Sequence, residues 1–328
     1  MGAPLPRKVT VVDSEQLLMP GIEKLRAAGV EVTVVPDGTS PIDAARAAHD
    51  ATVVIDGTLA IREAEIAEMK AAKLIIRAGI GYDLIDVATA TSRGIWVANV
   101  PDYCADEVAD HTTLLLMACA RRLDQASTFW RQEQRWIVYE KLAPVHRPSS
   151  RTLGIVGLGR IGARVAARAR AFGWNLVGAD AAMTPEQIRE RGCEPVSLDE
   201  LFRRSDAITL HCPLTAENHH LVDAERLAVT KPGVIIVNTS RGGLIDIAAL
   251  DAAVASGHVS AAGLDVLEDE PRPDMSQPIF SRSNVIVTSH TAWYSVDARV
   301  ELAILCADEA LRVIDGGRPR NAVNPEVQ

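Results

Sequence analysis

"TLGIVGLGRIGARVAARARAFGWNLVGAD", residues 152–180, decides the fold class of this 328-residue chain. An apolar run ends in Gly157, Gly159 and Gly162, spaced GxGxxG, and an Ala/Arg-rich amphipathic stretch follows at once. A second apolar run ends at Asp180, 18 residues past Gly162. A lone glycine pattern of this kind is weak, but strand, glycine turn, helix and a second strand closed by an acid together make a dinucleotide-binding unit. Gly157 permits the tight turn, Gly159 lets the backbone approach a pyrophosphate, and Gly162 lets helix and strand pack. The helix N-terminus then offers N–H groups to the anion. Asp180 is expected to accept hydrogen bonds from the ribose hydroxyls of an adenosine and to repel a 2′-phosphate, so NAD is expected rather than NADP. No arginine follows it in "DAAMTPEQ".

Outward from this unit the same rhythm continues. Upstream, "KVTVVD", "VEVTVVP", "ATVVIDG", "KLIIRAG" and "GIWVANV" alternate with helical stretches, and downstream "AITLHCP", "GVIIVNTS", "SAAGLDVL" and "NVIVTSH" do likewise. Strands separated by helical patterns read as parallel βαβ units. The series breaks at "NVPDYCADEVADHTTLLLMACARRL", where Pro101 punctuates the chain and a long helix follows. The reading is therefore α/β, with two Rossmann-like doubly wound parallel-sheet domains and a cleft between them. Residues 101–294 form the NAD-binding domain, and residues 1–100 with 295–328 form a flavodoxin-like substrate-binding domain. A final helix over 296–315 has no strand after it and is expected to return to the first domain.

With 48% hydrophobic residues the chain can bury a sizeable core. Its net charge of −9, without a dense Lys/Arg block, excludes nucleic acid or an anionic membrane as the main partner. The start "MGAPLPRKVTVVD" has no apolar signal core, and stretches such as "LLLMACA" are too short to span a bilayer, so a cytoplasmic location is expected. Five scattered cysteines without a CxxC pair predict reduced thiols and no metal site. His219 and His220 are adjacent with no Cys nearby, and read as a solvated helix start.

Several predicted strands end on polar residues. "VNTSRGGLID" presents Arg241, "GLDVLEDEP" presents Asp265 and Glu270, and "VTSHTAW" presents His290 with Trp293 three residues on. Ligands of open α/β sheets bind outside the carboxyl ends of the strands, which places these residues on the dinucleotide side. In "RAGIGYD" the third glycine is missing, so no second nucleotide site is expected there. Its backbone N–H groups can receive a carboxylate, with Arg77 adding charge.

"RAGIGYDLIDV", "VPDYCADEVADHT", "GIVGLGRIGARVA", "HCPLTAEN", "VIIVNTSRGGLID", "GLDVLEDEP" and "TSHTAW" fall in an order that resembles the D-isomer-specific 2-hydroxyacid dehydrogenase family over essentially the full length. The resemblance implies a homodimer acting on a small 2-oxo or 2-hydroxy acid, with Arg241, Glu270 and His290 catalytic. It implies that Asp265 holds the nicotinamide amide, that Arg160 and Ile161 sit at the pyrophosphate turn, and that Cys212, Pro213, Thr239 and Ser240 line the cofactor groove. Ile80 and Gly81 match the loop that receives the substrate carboxylate, and Trp293 is expected to border the substrate side chain, with Tyr82 nearby. Tyr139, in the stretch with Trp130 and Trp136, is expected near the partner subunit. In the implied chemistry His290 gives a proton to the carbonyl oxygen as hydride arrives, and an ionised Glu270 favours its imidazolium form. Because "HTAW" also resembles the C-terminal binding proteins, an NAD(H)-binding regulator with little or no turnover stands as the alternative reading.

Overall fold

The computed structural model describes residues 5–12, 14–136, 139–142 and 144–327. The chain divides into two compact units, one made of the residues up to Cys104 and from Tyr294 onward, the other of Ala105–Trp293.

In the first unit β-branched runs form five parallel strands: β1 (Lys8–Val12), β2 (Glu31–Val35), β3 (Val53–Asp56), β4 (Leu74–Arg77) and β5 (Trp96–Asn99). Their order is β2-β1-β3-β4-β5, with Val9 opposite both Val32 and Val53. β3 and most of β4 are buried, as expected of central strands covered on both faces by helices. The C-terminal helix Val296–Ile314 packs in this unit against the helix Glu15–Ala27. The approach is close: a Cβ on Gly21 would lie 2.1 Å from the carbonyl oxygen of Ala303. Ser295 caps the C-terminal helix by accepting the Ala298 N–H. Asn324 then ties the chain end to β5 by accepting the Val97 N–H at 2.8 Å.

The second unit holds seven parallel strands. They are β6 (Thr152–Val156), β7 (Asn175–Ala179), β8 (Glu194–Pro195), β9 (Ala207–Leu210), β10 (Val234–Asn238), β11 (Val259–Leu264) and β12 (Val285–Val287). The order β12-β11-β10-β9-β6-β7-β8 puts the change of winding direction between β6 and β9. Their inward side chains, among them Ile208, Leu210, Val234, Ile236 and Leu264, share one apolar core with Phe202 and Leu250. Because all seven strands run the same way, every loop after a strand emerges at the same edge of this sheet.

Two local readings differ from the sequence expectation. The long helix after Pro101 is broken: Ala105–Arg121 and Leu123–Glu133 are separate helices, joined at Arg122 with φ 55°, and the sequence there carries no glycine or proline to announce the break. His219 and His220 do not start a helix. They occupy a turn, with His220 at φ 53°, and the next helix begins only at Ala224. Among the described residues no helix is long and apolar enough to cross a membrane.

Candidate active site

The glycine turn after β6 forms for steric reasons. Gly157 has φ 87°, a left-handed conformation that costs a side-chain-bearing residue dearly, and a Cβ there would also stand 2.7 Å from the carbonyl carbon of His211. A Cβ on Gly162 would lie 2.0 Å from the Gly157 carbonyl oxygen, so only glycine lets the helix Arg160–Ala171 start so close to the strand. A Cβ on Gly159 would meet nothing within 4 Å, which leaves the outer side of the turn open to an anion. Arg160 and Ile161 open the helix that follows the turn, whose N-terminus carries the positive end of the helix dipole. Asp180 is linked to the same turn: its Oδ2 accepts the Leu158 N–H at 2.7 Å and its Oδ1 accepts the Ala182 N–H at 2.9 Å. Open glycine turn, helix N-terminus and acid at the end of the next strand fit a dinucleotide.

The far wall of the groove comes from the loops after β9 and β10. The Ser240 hydroxyl donates to the Cys212 carbonyl at 2.7 Å, joining the Cys212–Pro213 segment to the Thr239–Ser240 segment. Thr239 is buried and its hydroxyl lies 2.7 Å from that of Thr112, on the helix Ala105–Arg121. Burial raises the Cys212 thiol above its ordinary range, which keeps it protonated and unreactive. Beneath the turn, His211 is partly buried, and loss of solvent around its ring pushes it down to about 3, so the ring is neutral.

The chemistry-bearing residues follow β10, β11 and β12. His290 Nδ1 stands 2.7 Å from Glu270 Oε2, and the other Glu270 oxygen accepts the Leu267 N–H at 2.6 Å. Burial alone would raise the Glu270 carboxyl. The hydrogen bond and charge of His290, the Leu267 N–H and the charge of Arg241 outweigh it and hold the carboxyl below the usual range. Glu270 is therefore an anion near neutral pH. Arg241 extends from β10 with its Nη1 on the Ser240 carbonyl at 2.7 Å, and the Asn238 side chain holds the Arg241 carbonyl at 2.8 Å. His290 itself sits at φ 53°, with its N–H on the Asp265 carbonyl at 2.7 Å. Its side chain is about half exposed, so the Nε2 edge is accessible to a ligand.

Asp265 does more than the sequence indicated. It is 1% exposed, and its carboxylate accepts the Thr288 hydroxyl at 2.5 Å and the Thr291 and Ala292 N–H groups at 3.0 Å each. These donors flank His290 on both sides, so the acid organises the loop that presents the imidazole. His111 reaches the same cluster, with Nε2 3.0 Å from the Thr288 hydroxyl. His111 and Thr112 were not singled out from the sequence. The signal available was the polar run Asp110–Thr113 directly before the apolar stretch Leu114–Ala120 of one helix. Trp293 closes this loop, half-buried, with Tyr294 exposed after it.

In the first unit the turn after β4 behaves differently for each residue. Arg77 is not a free cation: its Nη1 is 2.8 Å from Asp56 Oδ2, a carboxylate with no exposure. The N–H of Gly79 donates to the Arg77 carbonyl at 2.9 Å, and the Ile80 carbonyl accepts from the Asn99 side chain at 2.6 Å. Ile80 and Gly81 are half-buried at the end of this turn.

Known proteins place the chain in one family. Residues 113–292 match the model of the D-isomer specific 2-hydroxyacid dehydrogenase, NAD binding domain. A glyoxylate reductase of Korarchaeum cryptofilum is 39% identical over 256 residues, which cover 78% of this chain and 77% of that protein. A D-3-phosphoglycerate dehydrogenase of Mycobacterium leprae is 39% identical over 297 residues, covering 88% of this chain and 53% of that one, so the chain spans about half of that relative. A solved glyoxylate reductase from Paecilomyes thermophila superposes with a TM-score of 0.88 at 30% identity, over 98% of this chain and 99% of its own. The chain thus belongs to the D-isomer-specific 2-hydroxyacid dehydrogenase family and is an NAD-dependent oxidoreductase.

Proposed function

We propose that this protein interconverts a small 2-oxo acid and the corresponding D-2-hydroxy acid, with His290 as the acid and base. The observation that carries the reading is the His290–Glu270 pair, 2.7 Å apart, on loops that leave the same sheet edge as the glycine turn. NADH, when bound, supplies the hydride. As charge grows on the carbonyl oxygen, His290 donates its Nε2 proton to it, while Nδ1 stays directed at Glu270. In the reverse direction neutral Nε2 takes the hydroxyl proton. Glu270 fixes the ring orientation and stabilises the imidazolium, much as a buried acid supports a catalytic histidine elsewhere. Arg241 presents a planar fork to the substrate's carboxylate and carbonyl, orienting the reacting carbon and polarising its bond.

In the first unit, the N–H groups of Ile80 and Gly81 are the proposed donors to the substrate carboxylate. Arg77, neutralised by Asp56, serves to stiffen that turn. Trp293 is proposed to border the substrate side chain, favouring an apolar or extended group over bare glyoxylate. The protein is proposed to be a cytoplasmic homodimer. Trp130, Trp136 and Tyr139, exposed at 50%, 86% and 79%, are the aromatic groups that a partner subunit would cover.

The test is NADH consumption with glyoxylate, pyruvate, hydroxypyruvate, phenylpyruvate and phosphohydroxypyruvate, followed by chiral analysis of the product. Turnover giving the D-acid supports the proposal. Tight NADH binding with no turnover on any of them supports instead a regulator of the C-terminal binding protein type.

A further inference from the structure

The turn at His219 and His220 lies beside the loops of the proposed reaction without belonging to its machinery. The two imidazole rings stack, with centroids 3.9 Å apart and planes 28° from parallel. His219 Nε2 is 2.7 Å from Glu268 Oε1, and His220 Nε2 is 3.0 Å from Glu268 Oε2. One ligand atom from each of the three residues lies within 4.8 Å of the others. Glu268 arrives from a loop 48 residues further along the chain, which is why spacing alone did not join it to the histidines.

The backbone holds this group in place. His220 takes φ 53°, a region that histidine enters more readily than most side chains, and its N–H donates to the Gly243 carbonyl at 2.8 Å. Gly242 lies flush against the Glu268 loop, since a Cβ there would stand 1.9 Å from the Leu267 carbonyl carbon. Three segments are therefore layered on one another: the histidine turn, the turn that follows Arg241, and the loop that runs from Leu267 to Glu270.

We propose that His219, His220 and Glu268 form a binding site for one borderline divalent cation such as zinc, held by the two Nε2 atoms and a Glu268 oxygen, with solvent completing the shell. Two imidazoles and one carboxylate are a donor set that zinc takes, and a three-residue site leaves the fourth position to water. Bonds of roughly 2.0–2.2 Å in tetrahedral geometry put ligand atoms roughly 3.3–3.5 Å apart. The observed N–O separations of 2.7 and 3.0 Å are somewhat shorter than that spacing, so an ion enters as these side chains move slightly apart. Stacked rings that both carried protons would repel each other, whereas a cation draws on the lone pairs of both neutral rings. An imidazolium gives its Nε2 proton to solvent as the ion binds, and a neutral ring protonated at Nε2 shifts to its Nδ1–H form. Side-chain exposures of 47%, 35% and 38% give the ion a way in and a place for water. The site shares no ligand with the His290–Glu270 pair. Its consequence is mechanical: a bound ion fastens the histidine turn to the loop that ends at Glu270, with the turn after Arg241 held between them. This inference does not rest on the proposed reaction.

The experiment is calorimetric titration of zinc chloride into the full chain, with His290→Ala included because that histidine and Glu270 could also take zinc. The expected result is one zinc per chain in the wild type and in His290→Ala. Glu268→Gln and the His219→Gln/His220→Gln double variant should bind zinc more weakly by at least the roughly 10- to 100-fold that outer-shell changes alone cost. Both variants should keep wild-type NADH affinity. Cobalt chloride should give the visible bands of a tetrahedral ion in the wild type and not in Glu268→Gln. Absence of zinc binding in the wild type, unchanged zinc affinity in both variants, or loss of the zinc in His290→Ala would each overturn the proposal.

Discussion

Oε2 of Glu270 lies 2.7 Å from Nδ1 of His290, while Oε1 of the same carboxylate accepts the Leu267 N–H. One oxygen thus orients the imidazole and the other anchors the carboxylate to its own loop. Glu270→Gln keeps the shape and removes the charge. Turnover should fall, by no more than the roughly 10²- to 10⁴-fold that acid–base catalysis is worth, with NADH affinity unchanged. The pH dependence of stability follows from the lowered Glu270 carboxyl. A folded-state value below the ordinary 4.5 means that the wild-type advantage over Glu270→Gln is full above pH 4.5 and is lost as pH falls through the lowered value. Urea denaturation of both proteins across the acid range measures it, and an advantage that grows toward acid would contradict the assignment.

Asp265 is buried and its carboxylate accepts four hydrogen bonds from the loop that presents His290. Asp265→Asn would turn an NH2 group toward at least one donor in a site that water does not reach. The expected cost is about 1–3 kcal/mol of stability. Turnover should fall as well, because the imidazole loses the loop geometry that aims it. Denaturation and steady-state kinetics on the same preparation check both.

Asp180 follows β7 beside the glycine turn, where its carboxylate accepts the Leu158 N–H, and it is the residue proposed to set the cofactor preference. Asp180→Ser keeps an acceptor for the Leu158 N–H and removes the anion. A carboxylate about 5 Å from a phosphate at an effective dielectric near 20 is repelled by roughly 3 kcal/mol. The ratio of NADPH to NADH efficiency should therefore rise by about 100-fold. Parallel assays with the two cofactors decide the point, and an unchanged ratio would remove Asp180 from that role.

His211, partly buried with its ring 2.9 Å from the Thr209 hydroxyl, is pushed down to about 3 from 6.5 by desolvation. A histidine depressed on folding behaves oppositely to one that gains an acidic partner. Below pH 6.5 the unfolded chain takes up a proton that the folded chain refuses, so stability falls with acid from there to about pH 3. The slope from this group approaches about 1.4 kcal/mol per pH unit. His211→Asn should flatten that window by the same amount, whatever it does to stability at neutral pH.

The sequence was most legible where chemistry and backbone geometry coincide. Gly157, Gly162 and Asp180 could be read because the turn they build is sterically specified, and His290 and Glu270 because each follows a strand of recognisable composition. The break at Arg122 was not legible, since nothing local stops the helix there. The neutralisation of Arg77 was also hidden: Asp56 ends the neighbouring strand β3, and only the pairing of Asp56 with Arg77 across the sheet shows that the cation is taken. Asp265 was identified as a cofactor residue, but its hold on the His290 loop depends on donors 23 to 27 residues away that meet it only in the folded sheet. The same applies to Glu268 and the histidine pair.

The most direct test of the central claim is single-turnover reduction of a 2-oxo acid by His290→Ala with saturating NADH. A loss of at least roughly 10²-fold in the chemical step, with NADH affinity retained, is expected. A hydride-transfer rate close to that of the wild type would contradict it.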